Sequence, residues 1–205
     1  MLKSYFKLAL KVLKRRKFYT FISLFGIAFT LTALMMATSF YEDLMFPKGA
    51  EKHHDRTLYV ESMAFYKENS RNGYRGNIGY AFIKNYLYKM KTPELVSGYS
   101  SNAVSIGFLE GQKIESQLKR TDANYWRILD FRFVDGRPFG DTEDQQGAYV
   151  AVINRTTEMQ FFGQQSGLGK TIKTGGASYR VIGVVENESV LNEASTADIW
   201  IPMFA

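Results

Sequence analysis

Few residues in this chain have the types and spacing that chemistry needs. Gly163 to Thr171 reads GQQSGLGKT and comes near a phosphate-binding loop. That loop needs a glycine, four residues and then Gly-Lys-Thr, so that its amides close around the phosphates. Here the position that must be glycine is Gln164, and Gly163 comes one place too early. A phosphate loop also joins a strand to a helix, whereas this segment follows a predicted helix and leads into a hairpin. We read it as a helix-ending glycine and a loop before a strand. His53-His54 is the one histidine pair, with Glu51 and Asp55 beside it. Adjacent side chains point apart on a strand and sit about 100° apart on a helix, so the pair reads as a solvated loop before it reads as a surface metal site. No Ser-His-Asp arrangement has support from spacing. Glu143-Asp144 falls in a stretch read as a Gly/Gln-rich loop. The lack of cysteine removes a disulfide scaffold, a zinc-cysteinate site and a thiol nucleophile. The expectation is a chain with no catalytic residue, no cofactor and no metal of its own.

The elements that would position these residues alternate in type. Residues 42–56 read as a polar connector with a Pro47-Lys48-Gly49 turn. A strand is predicted at Thr57–Met63, and residues 64–77, rich in Asn, Arg, Gly and Lys, read as a loop. From Tyr80 to Met90 the apolar Phe82, Ile83, Tyr86, Leu87 and Met90 recur at three and four, which predicts a helix stopped by Thr92-Pro93. Strands follow at Ala103–Leu109 and Lys113–Lys119, linked by Glu110-Gly111-Gln112 as a hairpin. Asp122 is placed to cap a short helix through Leu129. Phe131–Val134 leads into a turn at Asp135-Gly136. Ala148–Ile153 predicts a buried strand, and Asn154 caps a helix that runs to Phe162 and ends at Gly163. Ile172, the turn Thr174-Gly175-Gly176 and Tyr179–Val185 make a second hairpin. Ala197–Pro202 is a last short strand. The fold class is α+β.

Charge divides the chain. The net charge is +6. The first 40 residues hold seven basic side chains and no acid, which leaves 19 basic and 20 acidic side chains in the rest. The body therefore has no positive excess to meet a phosphate backbone, and nucleic acid is excluded as a partner. Phe18 to Tyr41 is 24 residues without a charge, enough as a helix to cross a hydrocarbon core of about 30 Å. A signal peptide has an apolar region of about 7–15 residues, so this longer run reads as an uncleaved anchor in the bilayer. Lys14, Arg15, Arg16 and Lys17 stand just before it, and the positive-inside rule puts the N-terminus in the cytoplasm and the body outside. Residues 1–17 read as a basic amphipathic helix on the inner surface: Lys3, Lys7, Lys11 and Lys14 form one stripe, and Leu2, Phe6, Ala9 and Leu13 another. A plain positive flank accounts for the same residues. The organisation is thus 1–17 cytoplasmic helix, 18–41 transmembrane helix and 42–205 extracytoplasmic domain.

The body then shows a family resemblance. TDANYWRILDFRFVDGRPF (Thr121–Phe139), VAVIN (Val150–Asn154), FFG (Phe161–Gly163), GLGKTI (Gly167–Ile172) and YRVIGVV (Tyr179–Val185) resemble, in order and spacing, the periplasmic core domain of MacB/FtsX-like ABC-transporter permeases. The opening YFKLALKVLKRRKFYTFISLFGIAFTL is similar to the short helix and first span of the same permeases. The matched residues read as structural: Asp122 caps, Tyr125 and Trp126 pack, Gly136 turns, Arg137 anchors, Phe139 plugs the core, and Gly163, Gly169 and Gly183 serve conformation or close packing.

The resemblance implies a domain with a porter-like α/β part and a β-rich part. It implies a permease subunit that is no enzyme itself, with ATP bound by a partner cytoplasmic ABC ATPase. It further implies a second permease copy as dimer partner, a periplasmic adaptor or substrate protein, and a place in the bacterial inner membrane. Such permeases have four spans, so the chain reads as incomplete at its C-terminus. Two other readings stay open on the residues alone: a membrane-anchored extracytoplasmic sensor or interaction domain, and a secreted hydrolase behind a signal peptide.

Overall fold

The computed structural model describes residues 5, 11–12, 15–46, 49–66, 73–109 and 112–205. Lys14, most of the helix expected over 1–17, Pro47-Lys48 of the expected turn and Glu110-Gly111 of the hairpin link lie outside the described residues. The chain divides into two compact units, Met1–Phe46 and Pro47–Ala205.

The first unit holds the helix α1, Lys17–Met45. It continues through Glu42 and Asp43, one turn past the uncharged run. Lys17–Asp43 is long and apolar enough to cross a membrane. Three of its threonines are satisfied locally: Thr30, Thr32 and Thr38 donate to the carbonyls of Gly26, Ala28 and Leu34 at 2.8, 2.9 and 3.0 Å. A hydroxyl bonded in this way brings no unmet donor into hydrocarbon.

The second unit is α+β. Strands β1 (Ser62–Tyr66) and β2 (Gly73–Asn77) pair as an antiparallel hairpin. This corrects two expectations, since the strand begins at Ser62 rather than Thr57 and the 64–77 stretch contributes strands to a hairpin. The strands carry no apolar alternation because neither face is buried. Helix α2 covers only Tyr80–Asn85 and gives way to a 3-10 turn at Leu87–Lys89, so Tyr86 and Met90 are exposed instead of continuing a buried stripe. The tighter turn carries Tyr88 toward the sheet.

Strands β3 (Ala103–Leu109) and β4 (Gln112–Thr121) form the long antiparallel hairpin, and the short helix α3 (Tyr125–Ile128) follows. Next come β5 (Phe133–Gly136) and helix α4 (Asp141–Gln145). Glu143 and Asp144 thus sit on a helix, not in a loop; Glu143 reaches back to accept from the Gly140 amide at 2.8 Å and so closes the first turn. β6 (Val150–Asn154) is buried throughout. The Asn154 side chain accepts from the Thr157 amide at 2.7 Å and caps α5 (Arg155–Phe162), which ends at Gly163 with φ +62°. β7 (Thr171–Thr174) and β8 (Ala177–Val185) pair across Gly175-Gly176, both at positive φ as a two-residue hairpin turn requires. β9 (Ile199–Pro202) completes the sheet.

Seven strands join in the order β5-β8-β6-β9-β4-β3-β7, and β7 pairs back onto β8. Six of them therefore form a ring, closed at Gly107 opposite Thr174, while β5 takes the remaining half of the β8 edge. β4–β9 and β6–β8 are the parallel pairs. The central strands are buried on both faces, as a near-continuous apolar run predicts. Alternate residues feed two cores. Val150, Val152, Ile182 and Trp200 pack with Tyr125, Leu129, Phe131 and Phe139. Ala151, Ile153, Val181, Ile199 and Ile201 pack with Phe161 and Ile172.

Candidate functional site

The corner that follows β4 gathers most of the residues singled out from sequence. Asp122 is buried and its carboxylate accepts four hydrogen bonds: from the Ser97 hydroxyl at 2.7 Å, the Gly98 amide at 2.6 Å, the Tyr125 amide at 2.9 Å and the Tyr88 hydroxyl. Three of the four donors belong to the 88–98 segment and the fourth to α3, so one carboxylate fixes both against the sheet. Four bonds to one carboxylate use its full acceptor capacity. Burial first, and the bond to Asp122 second, push the Tyr88 phenol above its ordinary range and keep it a donor. Tyr80 touches Tyr88 hydroxyl to hydroxyl at 3.3 Å.

Tyr125 forms the centre of the next layer. Its hydroxyl donates to the Ala194 carbonyl at 2.9 Å and accepts from the Trp200 indole at 3.2 Å. Trp126 meets Tyr125, Phe131, Phe133, Phe139 and Trp200, with ring centroids 5.0–6.1 Å apart. Phe139 is fully buried. Gly136 has φ +71°, and Arg137 holds Glu143 through both guanidinium nitrogens at 2.9 and 2.6 Å. That pair keeps the Glu143 carboxyl below its usual range, with the Arg137 bonds the largest cause. A Cβ on Gly183 would meet the Arg137 carbonyl and, at 2.9 Å, the Phe133 ring. Gly163 and Gly169 have positive φ in the loop beyond α5. Arg15, Arg16 and Lys17 lie in the first unit at the start of α1, away from this corner in sequence and exposed.

Two features had no signal in the sequence. Lys119 is 1% exposed and donates to the carbonyls of Glu193 and Ala194, both at 2.7 Å, with the Tyr99 ring 5.3 Å away. Desolvation lowers its ammonium to about 8. The segment between β8 and β9 is held by this lysine and by Glu51, whose carboxylate accepts from the Ser195 amide at 2.7 Å. Glu188 in turn accepts from the Ala50 amide at 3.1 Å, and Asp130 donates its amide to the Ala50 carbonyl at 3.0 Å. Lys52 pairs with Asp130. The residues that open the second unit are thereby pinned at several points. A lone basic residue within a strand carries no pattern, and these partners lie more than 70 residues apart in the chain, which is why neither could be read in advance.

The chemistry sketched from sequence takes definite form. In the Gly163–Thr171 loop, the Gly167 amide donates to Glu158 at 2.8 Å, Leu168 to the Ser166 hydroxyl at 3.2 Å, Gly169 to the Val181 carbonyl at 2.8 Å and Lys170 to the Gly167 carbonyl at 3.0 Å. Lys170 binds the Gln165 side chain at 2.8 Å and lies over the Phe162 ring. These amides are all committed inside the protein, so the loop cannot wrap a phosphate as it stands. His53 and His54 are exposed beside a single 3-10 turn, His54–Arg56. His53 and Arg56 line one side of a groove of about 680 Å³ whose other walls include Leu58, Val60, Leu95 and Arg127.

Comparison with known proteins agrees with this geometry. A family model described as the MacB-like periplasmic core domain matches residues 20–205. A macrolide export ATP-binding/permease protein MacB of Bdellovibrio bacteriovorus is 35% identical over 122 residues, which is 59% of this chain and 18% of that relative. MacB 2 of Aeromonas hydrophila, with the same description, is 30% identical over 83 residues, 40% of this chain and 13% of the relative. The matches thus span less than a fifth of these curated relatives. Among solved structures, the periplasmic region of MacB from Actinobacillus actinomycetemcomitans shares the fold with a TM-score of 0.50 at 21% identity, covering 58% of this chain and 53% of that one. The extracellular domain of the ABC-type transporter YknZ from Gram-positive bacteria gives a TM-score of 0.50 at 21% identity, covering 58% and 59%. With its N-terminal apolar helix followed by a mixed domain of this fold, the chain belongs to the MacB-like periplasmic core domain family, as a membrane-anchored protein with an extracytoplasmic domain.

Proposed function

We propose that the chain forms the N-terminal part of a permease subunit in an ABC-type transporter or mechanotransmission complex. In this reading a cytoplasmic ABC ATPase binds and hydrolyses ATP. A second permease copy completes a dimer, and the extracytoplasmic domain acts on a periplasmic substrate or adaptor. The carrying observation is the match of residues 20–205 to the family together with the way the domain begins. Ala50, Glu51 and Lys52, only a few residues beyond α1, are tied to Glu188, Ser195 and Asp130. In this reading a displacement delivered at residue 50 passes to the rest of the domain through these bonds.

Orientation rests on Lys14, Arg15, Arg16 and Lys17, which favour a cytoplasmic N-terminus. Because the chain lacks cysteine, a single cysteine placed at Ser4 or at Ser101 gives a clean probe in spheroplasts. The Ser101 thiol is expected to react with a membrane-impermeant maleimide and the Ser4 thiol only after permeabilisation; the reverse pattern would overturn the topology. The coupling itself is tested by co-purifying the full gene product with candidate ABC ATPases of the same organism. ATP turnover that changes when permease is added supports the proposal. An ATPase indifferent to the permease would favour the anchored interaction domain instead.

A further inference from the structure

Strand β3 carries its apolar residues on the unexpected side. Val104, Ile106 and Phe108 face outward, 64%, 41% and 66% exposed, while Ser105 and Gly107 are buried against the barrel. A strand that closes a core should do the opposite, since alternate residues point to opposite faces. Its partner β4 turns Ser116 inward, and that buried hydroxyl has no hydrogen-bond partner among the described residues. Only Ile114 and Leu118 of β4 add apolar contact with the core on this side. A local pattern that contradicts the fold around it marks a place where stability has been given up.

The bonds that hold this hairpin to the rest lie along two lines. At the barrel seam, Gly107 opposite Thr174 is the one strand pairing between β3 and β7. Beside it the Ser105 and Thr174 hydroxyls meet at 2.7 Å, and the Gly175 amide donates to the Ile106 carbonyl at 3.2 Å. Gly107 lets the seam close, because a Cβ there would stand 2.8 Å from the Lys173 carbonyl and 3.0 Å from the Phe161 ring. At the base, Gln117 and Asp198 exchange two bonds at 2.7 and 2.8 Å, and Asn102 donates to the Thr196 carbonyl at 3.1 Å. β9 meets β4 from Leu118 onward, so the part of β4 before it has no strand neighbour on that side among the described residues. Within the hairpin, β3 and β4 pair at seven positions. The result is a stiff arm, fixed at its base and latched along one edge.

We propose that this arm, residues 104–109 and 112–116, is a hinged flap. It swings off β7 about Asn102 and Gln117 and opens the barrel core beside Phe161 while the other strands stay paired. Local opening is governed by the few bonds that must break, and here those are the three at the seam. The inference rests on the extracytoplasmic domain alone and stands whether or not the chain couples to an ATPase.

The chain lacks cysteine, so thiol labelling under native conditions reads the opening. Ser116→Cys puts a thiol on the inner face of the arm where no bond is lost, and Ala151→Cys puts one in the central strand β6, at a position 0% exposed. With the full chain in lipid nanodiscs, the Ser116→Cys thiol should react at least about tenfold faster than the Ala151→Cys thiol, which waits for global unfolding. Thr174→Val strands the Ser105 hydroxyl and should speed Ser116→Cys labelling by about three- to tenfold while leaving Ala151→Cys unchanged. An oxidised Ser105→Cys/Thr174→Cys pair should slow Ser116→Cys to the Ala151→Cys rate. Equal rates for the two thiols would overturn the proposal, as would a Thr174→Val effect shared by both, because the arm would then open only with the whole domain. Should a cysteine variant fail to fold, hydrogen exchange of the wild type in rising denaturant decides the matter. The Gly175 amide, bonded across the seam, should exchange through an opening that depends little on denaturant, and Val150–Asn154 through one that depends strongly on it. A single shared dependence would overturn the proposal.

Discussion

Lys119 offers the sharpest test of how the sheet holds the segment before β9. The perturbation is Lys119→Met, which keeps the length of the side chain and removes its charge. Two effects compete. The substitution removes two charge-assisted bonds to the Glu193 and Ala194 carbonyls, each worth about 1.5–3 kcal/mol. The Ala194 carbonyl keeps the Tyr125 hydroxyl as a donor, which softens that loss. The substitution also relieves the burial of a charge, which lowers the ammonium from 10.5 to about 8 even with Glu51 and Glu193 pulling it upward. At pH 7 the two nearly offset.

The signature lies in the pH dependence. Between pH 8 and 10 the unfolded lysine keeps its proton while the folded one has released it. The unfolded state then binds more protons, so stability rises with pH. Two pH units at about 1.4 kcal/mol each give a rise of roughly 3 kcal/mol. Above pH 10 the direction reverses. Tyr88, Tyr59 and Tyr125 are pushed well up by burial and Tyr99 is pushed up to about 12, so they stay neutral in the fold while their unfolded counterparts ionise. The wild type should therefore be most stable near pH 10. Lys119→Met should lack the climb from pH 8, so its deficit should widen by roughly 3 kcal/mol between pH 7 and pH 10. Denaturant unfolding followed by tryptophan emission reads this directly, because both tryptophans belong to the extracytoplasmic domain. A deficit that stays constant across that range would refute the claim that burial depresses the Lys119 ammonium.

Asp122→Ala would orphan the Ser97, Gly98, Tyr125 and Tyr88 donors together and should destabilise the domain by about 3–5 kcal/mol, measured by the same unfolding curves; a loss under about 1 kcal/mol would mean that water replaces the carboxylate. Gly183→Ala forces a methyl against the Arg137 carbonyl and the Phe133 ring and should cost about 1–3 kcal/mol, while an unaltered melting temperature would show that β5 yields freely. Glu188→Ala removes the acceptor for the Ala50 amide. It should speed hydrogen exchange at Ala50 well before global unfolding, and unchanged protection there would dissolve the anchoring of residues 50–52.

What could be read from the sequence was local. The β6 run, the Asn154 cap, the Gly163 stop and the Gly175-Gly176 turn each announce themselves within a few residues, and Asn154 does accept the Thr157 amide. The β1–β2 hairpin was missed because neither face is buried, so no alternation marks it. The break in α2 was missed because it serves a distant partner: Tyr88 reaches Asp122, 34 residues on. The closure of the ring by β7 could not be foreseen either, since Gly107 opposite Thr174 is a pairing that depends on curvature and not on pattern.

The ties around residues 50–52 join the start of the extracytoplasmic domain to several parts of its sheet. Ala50 holds Glu188 and the Asp130 amide, and Glu51 holds Ser195. Ser195 lies next to Ala194, whose carbonyl receives both Lys119 of β4 and Tyr125 of α3. Asp198 continues the series by accepting the Gln117 amide of β4 at 2.7 Å and the Asn154 side chain at 3.0 Å. A pull at residue 50 is therefore shared at once between the β4 edge, the α3 corner and the β6 end of the sheet. These bonds are worth about 1–3 kcal/mol each, and most of the groups that make them, among them Glu51, Lys119, Tyr125, Asn154 and Ser195, are buried, so the loss of one leaves the others holding the same segment.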